Sequence, residues 1–169
     1  MFEREKSFRR RDNLKQVAVY RSHIEPDRFS NQIRYGCMMY NYCVAAVEAN
    51  NHGLVTLKFL IQKYSNIYFS EVEDERRNIK RKKIGWITSR KTKPFLVDEY
   101  ERSIRCGDIV VRSKNGIKEA RSFVRKSDGS MEAQEGCHDD EVIADMICVF
   151  MHKRLPFRSF TNNERKEVA

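Results

Sequence analysis

Gly136-Cys137-His138-Asp139-Asp140-Glu141-Val142-Ile143-Ala144-Asp145, close to the C-terminal end, decides how this chain is read. Three consecutive acids follow a glycine-containing loop. They open a segment whose apolar residues Val142, Ile143, Met146, Ile147, Phe150 and Met151 recur at helical spacing. Carboxylates therefore gather at a helix N-terminus. Asp139 or Asp140 as the N-cap, with its neighbours favoured by the positive end of the helix dipole, accounts for part of the pattern. A cap needs only one short acid, however. Adjacent carboxylates at the mouth of a buried helix also suit a hard divalent cation, which is held by several carboxylate oxygens from different elements.

Working outward, the 169 residues fit one domain with a real core, and 40% hydrophobic and 11% aromatic content argue for a folded protein. A net charge of +9 with 34% charged residues points to an anionic partner, nucleic acid first, although a well-solvated basic surface gives the same balance. No apolar run has the length of a membrane span, and Met1 to Asn13 carries no signal-peptide core, so a cytoplasmic, unexported protein is expected. Five cysteines, Cys37, Cys43, Cys106, Cys137 and Cys148, show no paired CxxC spacing and read as reduced, mostly buried thiols. Adjacent Cys137 and His138 make a poor nucleophile and base, since sequence neighbours rarely meet in that geometry.

Residues 1–13, with five Lys or Arg side chains from Arg4 to Arg11, read as a flexible basic arm; 14–152 as the domain; and 153–169 as a basic tail. Val17, Val19 and Tyr20 predict a strand over Gln16–Arg21. Pro26 at a first helical position, followed by Phe29, Ile33, Cys37 and Tyr40, predicts a helix packed on that strand. Val44-Ala45-Ala46-Val47 reads as a strand buried on both faces and ending in Glu48. A carboxylate there lies where open α/β sheets build their sites, or is simply the first solvated residue after the strand.

After a polar turn, Leu54, Leu57, Leu60, Ile61 and Tyr64 predict a helix, and Ile67–Phe69 a third strand. Ser70–Lys83 is a dense charged run, expected to be an exposed, mobile excursion. Ile84–Thr88 returns to the core with the only tryptophan, Trp86. Ser89-Arg90-Lys91-Thr92-Lys93-Pro94 then precedes a helix, and reads equally as a phosphate-holding turn or as a capping loop with incidental cations. Ile109–Val111 predicts a strand, Gly116–Lys126 a helix, and Asp128-Gly129 a hairpin-type turn.

Four segments, in this order and spacing, resemble the C-terminal nuclease domain of the large subunit of tailed-phage terminases, which has a ribonuclease H-like fold. They are Val47-Glu48-Ala49-Asn50-Asn51-His52-Gly53, Gly85-Trp86-Ile87-Thr88 with Lys91 to Pro94, Ile117-Lys118-Glu119-Ala120 before Phe123, and Glu135 to Val142. The resemblance implies an α/β, ribonuclease H-like mixed sheet flanked by helices, and Mg²⁺- or Mn²⁺-dependent endonuclease cutting of packaged DNA. Glu48, Asp139 and Asp140 would be the metal ligands and catalytic acids, and Arg90, Lys91 and Lys93 would track the phosphate backbone of double-stranded DNA. Two ions ~4 Å apart would serve the attacking hydroxide and the leaving oxygen.

The pattern lacks the family's first strand and its aspartate. Asp12, among arginines, is no replacement, and no Gly-rich phosphate loop of an ATPase motor occurs. The chain is thus expected to be N-terminally truncated relative to that domain. An upstream terminase segment would carry the motor and first nuclease strand, with the small terminase subunit and the portal as further partners. A nonenzymatic DNA-binding or packaging-assembly protein is the alternative; a junction-resolving or integrase-like nuclease shares the acids but not the Gly85-Trp86 and Lys93-Pro94 segments.

Overall fold

The computed structural model describes residues 14–74 and 79–155. Among them the fold is mixed α/β, with five helices and three two-stranded sheets. The basic arm and most of the basic tail lie outside the described residues.

The first strand, β1 (Leu14–Lys15), pairs in parallel with β4 (Ile109–Val110), Leu14 opposite Ile109. It does not continue through the predicted Gln16–Arg21. Val17 is 61% exposed, and among the described residues no sheet partner faces it. The reason lies across the ladder, where the chain turns at Ser113 to begin α4 (Lys114–Ser122), whose N-cap is Ser113. Gln16 ends the ladder with its side chain, Oε1 accepting from the Arg112 and Ser113 amides at 2.9 and 2.8 Å. β-branched residues favour a strand only where a partner strand is available to pack beside.

Helix α1 (Pro26–Met39) begins at Pro26 as its sequence predicts and stops where Asn41 and Tyr42 enter the left-handed region, φ 59° and 55°. It packs on α2 (Asn51–Leu60) rather than on the preceding strand. Cys37, Leu57, Leu60, Tyr64, Ala45 and Ile67 form one core cluster around that contact. Of the five cysteines only Cys37 is buried, which corrects the expectation of mostly buried thiols.

The predicted Val44–Val47 strand is an extended segment joined by isolated parallel bridges, Ala45 to Ile67 and Glu48 to Trp86. Ala45 donates to Asn66 O at 2.9 Å, Trp86 to Val47 O at 2.8 Å, and Ala49 to Trp86 O at 2.6 Å. Gly85, at φ 80°, makes this approach feasible, because a Cβ there would meet Val47 O and Leu57 Cδ1 at 2.6 Å each.

The charged run is no loose excursion. β2 (Phe69–Asp74) and β3 (Ile79–Ile84) form an antiparallel ladder that sets the acidic half against the basic half, with Glu71 opposite Lys82. Residues 75–78 between them lie outside the described set.

The main core lies between α3 (Lys93–Arg105) and α5 (Asp140–Arg154), where Leu96, Tyr100, Val142, Met146 and Ile147 bury with Trp86. Trp86 meets Phe150 edge-on at 4.8 Å. α5 runs through Lys153, so that residue belongs to the fold and not to a tail. Its Nζ donates to Glu99 Oε1 at 2.7 Å and to Ser103 Oγ at 2.6 Å, pinning α5 to α3. The predicted Gly116–Lys126 helix is shorter, giving way to β5 (Phe123–Arg125), which pairs with β6 (Met131–Ala133) across the Asp128-Gly129 turn. Among the described residues no helix is long and apolar enough to cross a membrane.

Gly85→Ala is expected to destabilise the chain by roughly 2–4 kcal/mol in urea unfolding, combining left-handed strain with a clash against backbone.

Candidate functional site

The glycine turn before α5 uses Gly136 at φ 78°, with the Cys137 amide bonded to Gln134 O. Asp139 is the N-cap by position, yet its side chain caps nothing. The first-turn amides are satisfied from another helix. Glu119 of α4 accepts from Glu141 N at 2.7 Å and Val142 N at 3.1 Å through Oε2, and its Oε1 takes Arg21 Nη1 at 2.8 Å. A buried carboxylate thus does what a short N-cap acid usually does, with a guanidinium offsetting its charge. Asp139 and Asp140 are thereby left free for other partners.

Those partners are cations. Asp139 Oδ2 lies 3.8 Å from Lys93 Nζ, and Asp140 Oδ2, on a side chain 79% exposed, lies 3.6 Å from Arg21 Nη2. Lys93 also sits over the Phe123 ring at 5.4 Å, so the α3 entry, β5 and the α5 entry meet around one ammonium.

Glu48 has a different setting. It is half-buried at the bridge to Trp86, and its Oε2 accepts from Asn50 Nδ2 at 3.2 Å. Asn50 in turn caps α2, its Oδ1 accepting from Gly53 N at 2.8 Å. Gly53 is required because a Cβ would fall 1.8 Å from Glu48 O. The whole Glu48–Gly53 segment therefore works as one unit that fixes the carboxylate at the end of its extended segment.

The turn before α3 divides its chemistry. The Ser89 and Thr92 hydroxyls shape the turn itself, with Ser89 N donating to Thr92 Oγ1 at 2.8 Å and Thr92 Oγ1 donating to Ile87 O at 2.9 Å. Arg90 and Lys93 instead line a cavity of about 340 Å³ between the α3 entry and the β5–β6 turn, with Ser130 and Glu132 opposite. Lys93 thus faces both the cavity and Asp139, while the hydroxyls are spent on the turn. Lys91 lies in the same turn.

The structure brings Lys93 to Asp139 and leaves Glu48 with partners of its own. Oxygen ligands of this kind suit Mg²⁺ or Mn²⁺. Among the described residues, however, no three His, Cys, Asp or Glu side chains are gathered so as to hold a metal ion.

Two further acids of the opening stretch are given no task of their own by the sequence. Glu141, buried, and Asp145, four residues on, both face Gly116, where a Cβ would come 2.8 Å from Glu141 Oε1 and 3.5 Å from Asp145 Oδ2. Glu141 Oε1 has no hydrogen-bond partner among the described residues, while Asp145 receives Gln16 Nε2 at 2.9 Å. Their signal is faint: acids on an otherwise apolar helix, opposite a glycine. Burial chiefly raises the Asp145 pKa to about 6, with the Glu141 and Glu119 charges adding and Gln16 opposing.

No protein-family model matches the chain, and no curated protein matches it.

Two substitutions test this arrangement. Glu119→Ala should cost about 2–4 kcal/mol in urea unfolding, because two helix amides and Arg21 lose a buried acceptor, and Glu119→Gln should cost less. Asp145 is expected to behave in the opposite sense. Its raised pKa means that its contribution is fully present below the unfolded value of ~3.9 and is lost as pH rises through about 6. Asp145→Asn should therefore add about 1–3 kcal/mol near pH 8 and almost nothing near pH 4, read from paired denaturation curves.

Proposed function

We propose that this chain is the DNA-cutting part of a tailed-phage terminase large subunit, on a ribonuclease H-like fold, with an incomplete acidic site. One observation carries the reading: the four segments that resemble the family, distant in sequence, are linked in space. Glu48 bridges to Trp86, Lys93 meets Asp139, and Glu119 caps the helix that Asp139 and Asp140 open. Such convergence is what a shared site at the end of a sheet requires.

Glu48, Asp139 and Asp140 are the residues that would hold Mg²⁺ or Mn²⁺ once the set is completed. When bound, the ions supply a metal-activated water and stabilise the leaving oxygen of the phosphodiester. The chain's own contribution is positional. Glu119 and Gly53 hold the carboxylate-bearing backbone, Lys93 orients Asp139, and Arg90, Lys91 and Lys93 receive the phosphate backbone of double-stranded DNA. The missing ligand would come from an upstream segment carrying the first strand and the motor. The small terminase subunit and the portal complete the assembly, in the cytoplasm of a bacterial host.

A second reading, a nonenzymatic DNA-binding or packaging-assembly protein, draws on the cations already set against Asp139 and Asp140.

Metal and salt separate the two. On the nuclease reading, millimolar Mn²⁺ raises the melting temperature by a few degrees and Asp139→Asn removes the rise, while nicking of plasmid by the chain alone stays at or near background. Indifference to Mn²⁺ with salt-sensitive DNA binding would select the second reading. On either, replacing Arg90 and Lys91 by Ala should weaken DNA binding uniformly across sequences and reduce the salt slope by about one per lost phosphate contact.

A further inference from the structure

Two thiols meet where α1 ends. Its last turn carries Cys37, which is 7% exposed and belongs to the α1–α2 core, and the chain then reverses through the left-handed Asn41 and Tyr42 so that Cys43 returns beside it. Cys43 N donates to Cys37 O at 3.3 Å. A backbone bond between two residues holds their Cα atoms at roughly the 4.4–6.8 Å that a disulfide spans. The side chains meet as well, for the Cys37 S–H is hydrogen-bonded to the Cys43 sulfur.

This turn is held by the residues after α2. Tyr64, itself buried, donates its hydroxyl to Cys43 O at 2.5 Å, and Asn66 Nδ2 donates to Tyr42 O at 2.8 Å. A left-handed tyrosine is an unfavourable conformation that persists only where its surroundings over-determine it, and such positions gather at sites of chemistry or switching.

The two thiols differ as the members of a reacting pair must. Cys43 is exposed and lines a cavity of about 360 Å³ that a small solute can enter, while Cys37 lies behind it in the core. The hydrogen bond from Cys37 lowers the Cys43 pKa to about 7 against the opposing effect of burial, and the same bond, with burial, pushes the Cys37 thiol up. Much of Cys43 is therefore thiolate at neutral pH, and Cys37 keeps its proton.

We propose that Cys43 and Cys37 form a peroxide-reactive pair, Cys43 as the attacking sulfur and Cys37 as the resolving one, which closes into a disulfide across the α1 turn. The Cys43 thiolate attacks one oxygen of hydrogen peroxide and the O–O bond breaks. Cys43 becomes a sulfenic acid, and the departing hydroxide takes up the proton the thiol had released. The Cys37 sulfur then attacks the Cys43 sulfur, and the sulfenic hydroxyl leaves as water with the Cys37 proton. Two thiols and one peroxide thus give one disulfide and two waters. The new bond ties the end of α1 to the residue that leads into the extended segment ending in Glu48. Neither metal nor DNA takes part, so the pair is independent of the nuclease reading.

Cys148 of α5 lines the same cavity and is the competing resolving thiol, and the exposed Cys106 and Cys137 are internal references. The full chain, reduced and freed of reductant, is treated at neutral pH and low protein concentration with a small excess of hydrogen peroxide, blocked with N-ethylmaleimide and digested with trypsin. Cys37 and Cys43 share the tryptic peptide 35–58 and Cys148 lies in 127–153, so a bond between the first two makes one peptide lighter by two hydrogens, whereas a bond from Cys43 to Cys148 joins both peptides. The Cys37–Cys43 disulfide should form about tenfold faster than Cys106 or Cys137 is oxidised, and in the reduced chain iodoacetamide should label Cys43 several-fold ahead of those two. Cys37→Ala should leave Cys43 as a sulfenic acid that a dione probe captures, and Cys148→Ser should leave the disulfide and its rate unchanged. If Cys37→Ala does not fold, the mapping of the unsubstituted chain decides alone. Cys43 oxidised no faster than the references, a bond to Cys148 in place of Cys37, or a disulfide formed only between chains would each overturn the proposal.

Discussion

The structure depends most on the carboxylate of Glu119. It is buried, and it is matched on both sides: by two amides at the positive end of α5 and by the guanidinium of Arg21. An unpaired carboxylate in that position would be strongly unfavourable, so the three elements it touches are obliged to stay together. α4 is thereby fixed to α5, and the segment leading to α1 is drawn over both. The arrangement also decides the chemistry of the Asp139-Asp140 pair. With capping provided from a distance, neither aspartate is consumed by its own helix, and both face Lys93 and Arg21.

Much of this was legible in the chain, and what was legible shares a cause. α1 with its Pro26 start, α5 with its acidic opening, the Asp128-Gly129 hairpin turn and the burial of Trp86 all follow from residues within a few positions of one another. What escaped depends on partners far away in sequence. The Val17–Tyr20 stretch has strand composition, but among the described residues no strand faces it past Val110, where the chain turns toward α4 at Lys114. The charged run looked like a solvated loop because the charge complementarity that folds it lies across a ladder, Glu71 to Lys82, and not along the chain. Glu119 was quoted within a motif without its task being visible, because its acceptor role links positions 22 and 23 residues apart. The same holds for the acids. That Asp139 and Asp140 open a helix is local information, whereas the separate partners of Glu48 and Asp139 are a property of the folded chain.

Electrostatics in the core follow a consistent division. Carboxylates that meet a cation or several donors are held ionised, as Glu99 is by Lys153 and Arg102, which lower its pKa. Asp145, with only an amide from Gln16 and two acids nearby, is driven toward its neutral form. Proteins seldom retain such a group on a buried helix without a compensating use, and here it borders the interrupted sheet.

Gln16 acts as a mechanical stop on β1. Its one amide group spans three elements, giving its N–H to Asp145 of α5 and taking the Arg112 and Ser113 amides that lead into α4. Side chains of an extended chain alternate in direction, so sliding β1 by a single residue would present Lys15 or Val17 to those atoms instead, and neither can both give and accept. Gln16 is therefore a detent: it lets the β1 segment rest in one register only, tying that register to the entry of α4 and the middle of α5.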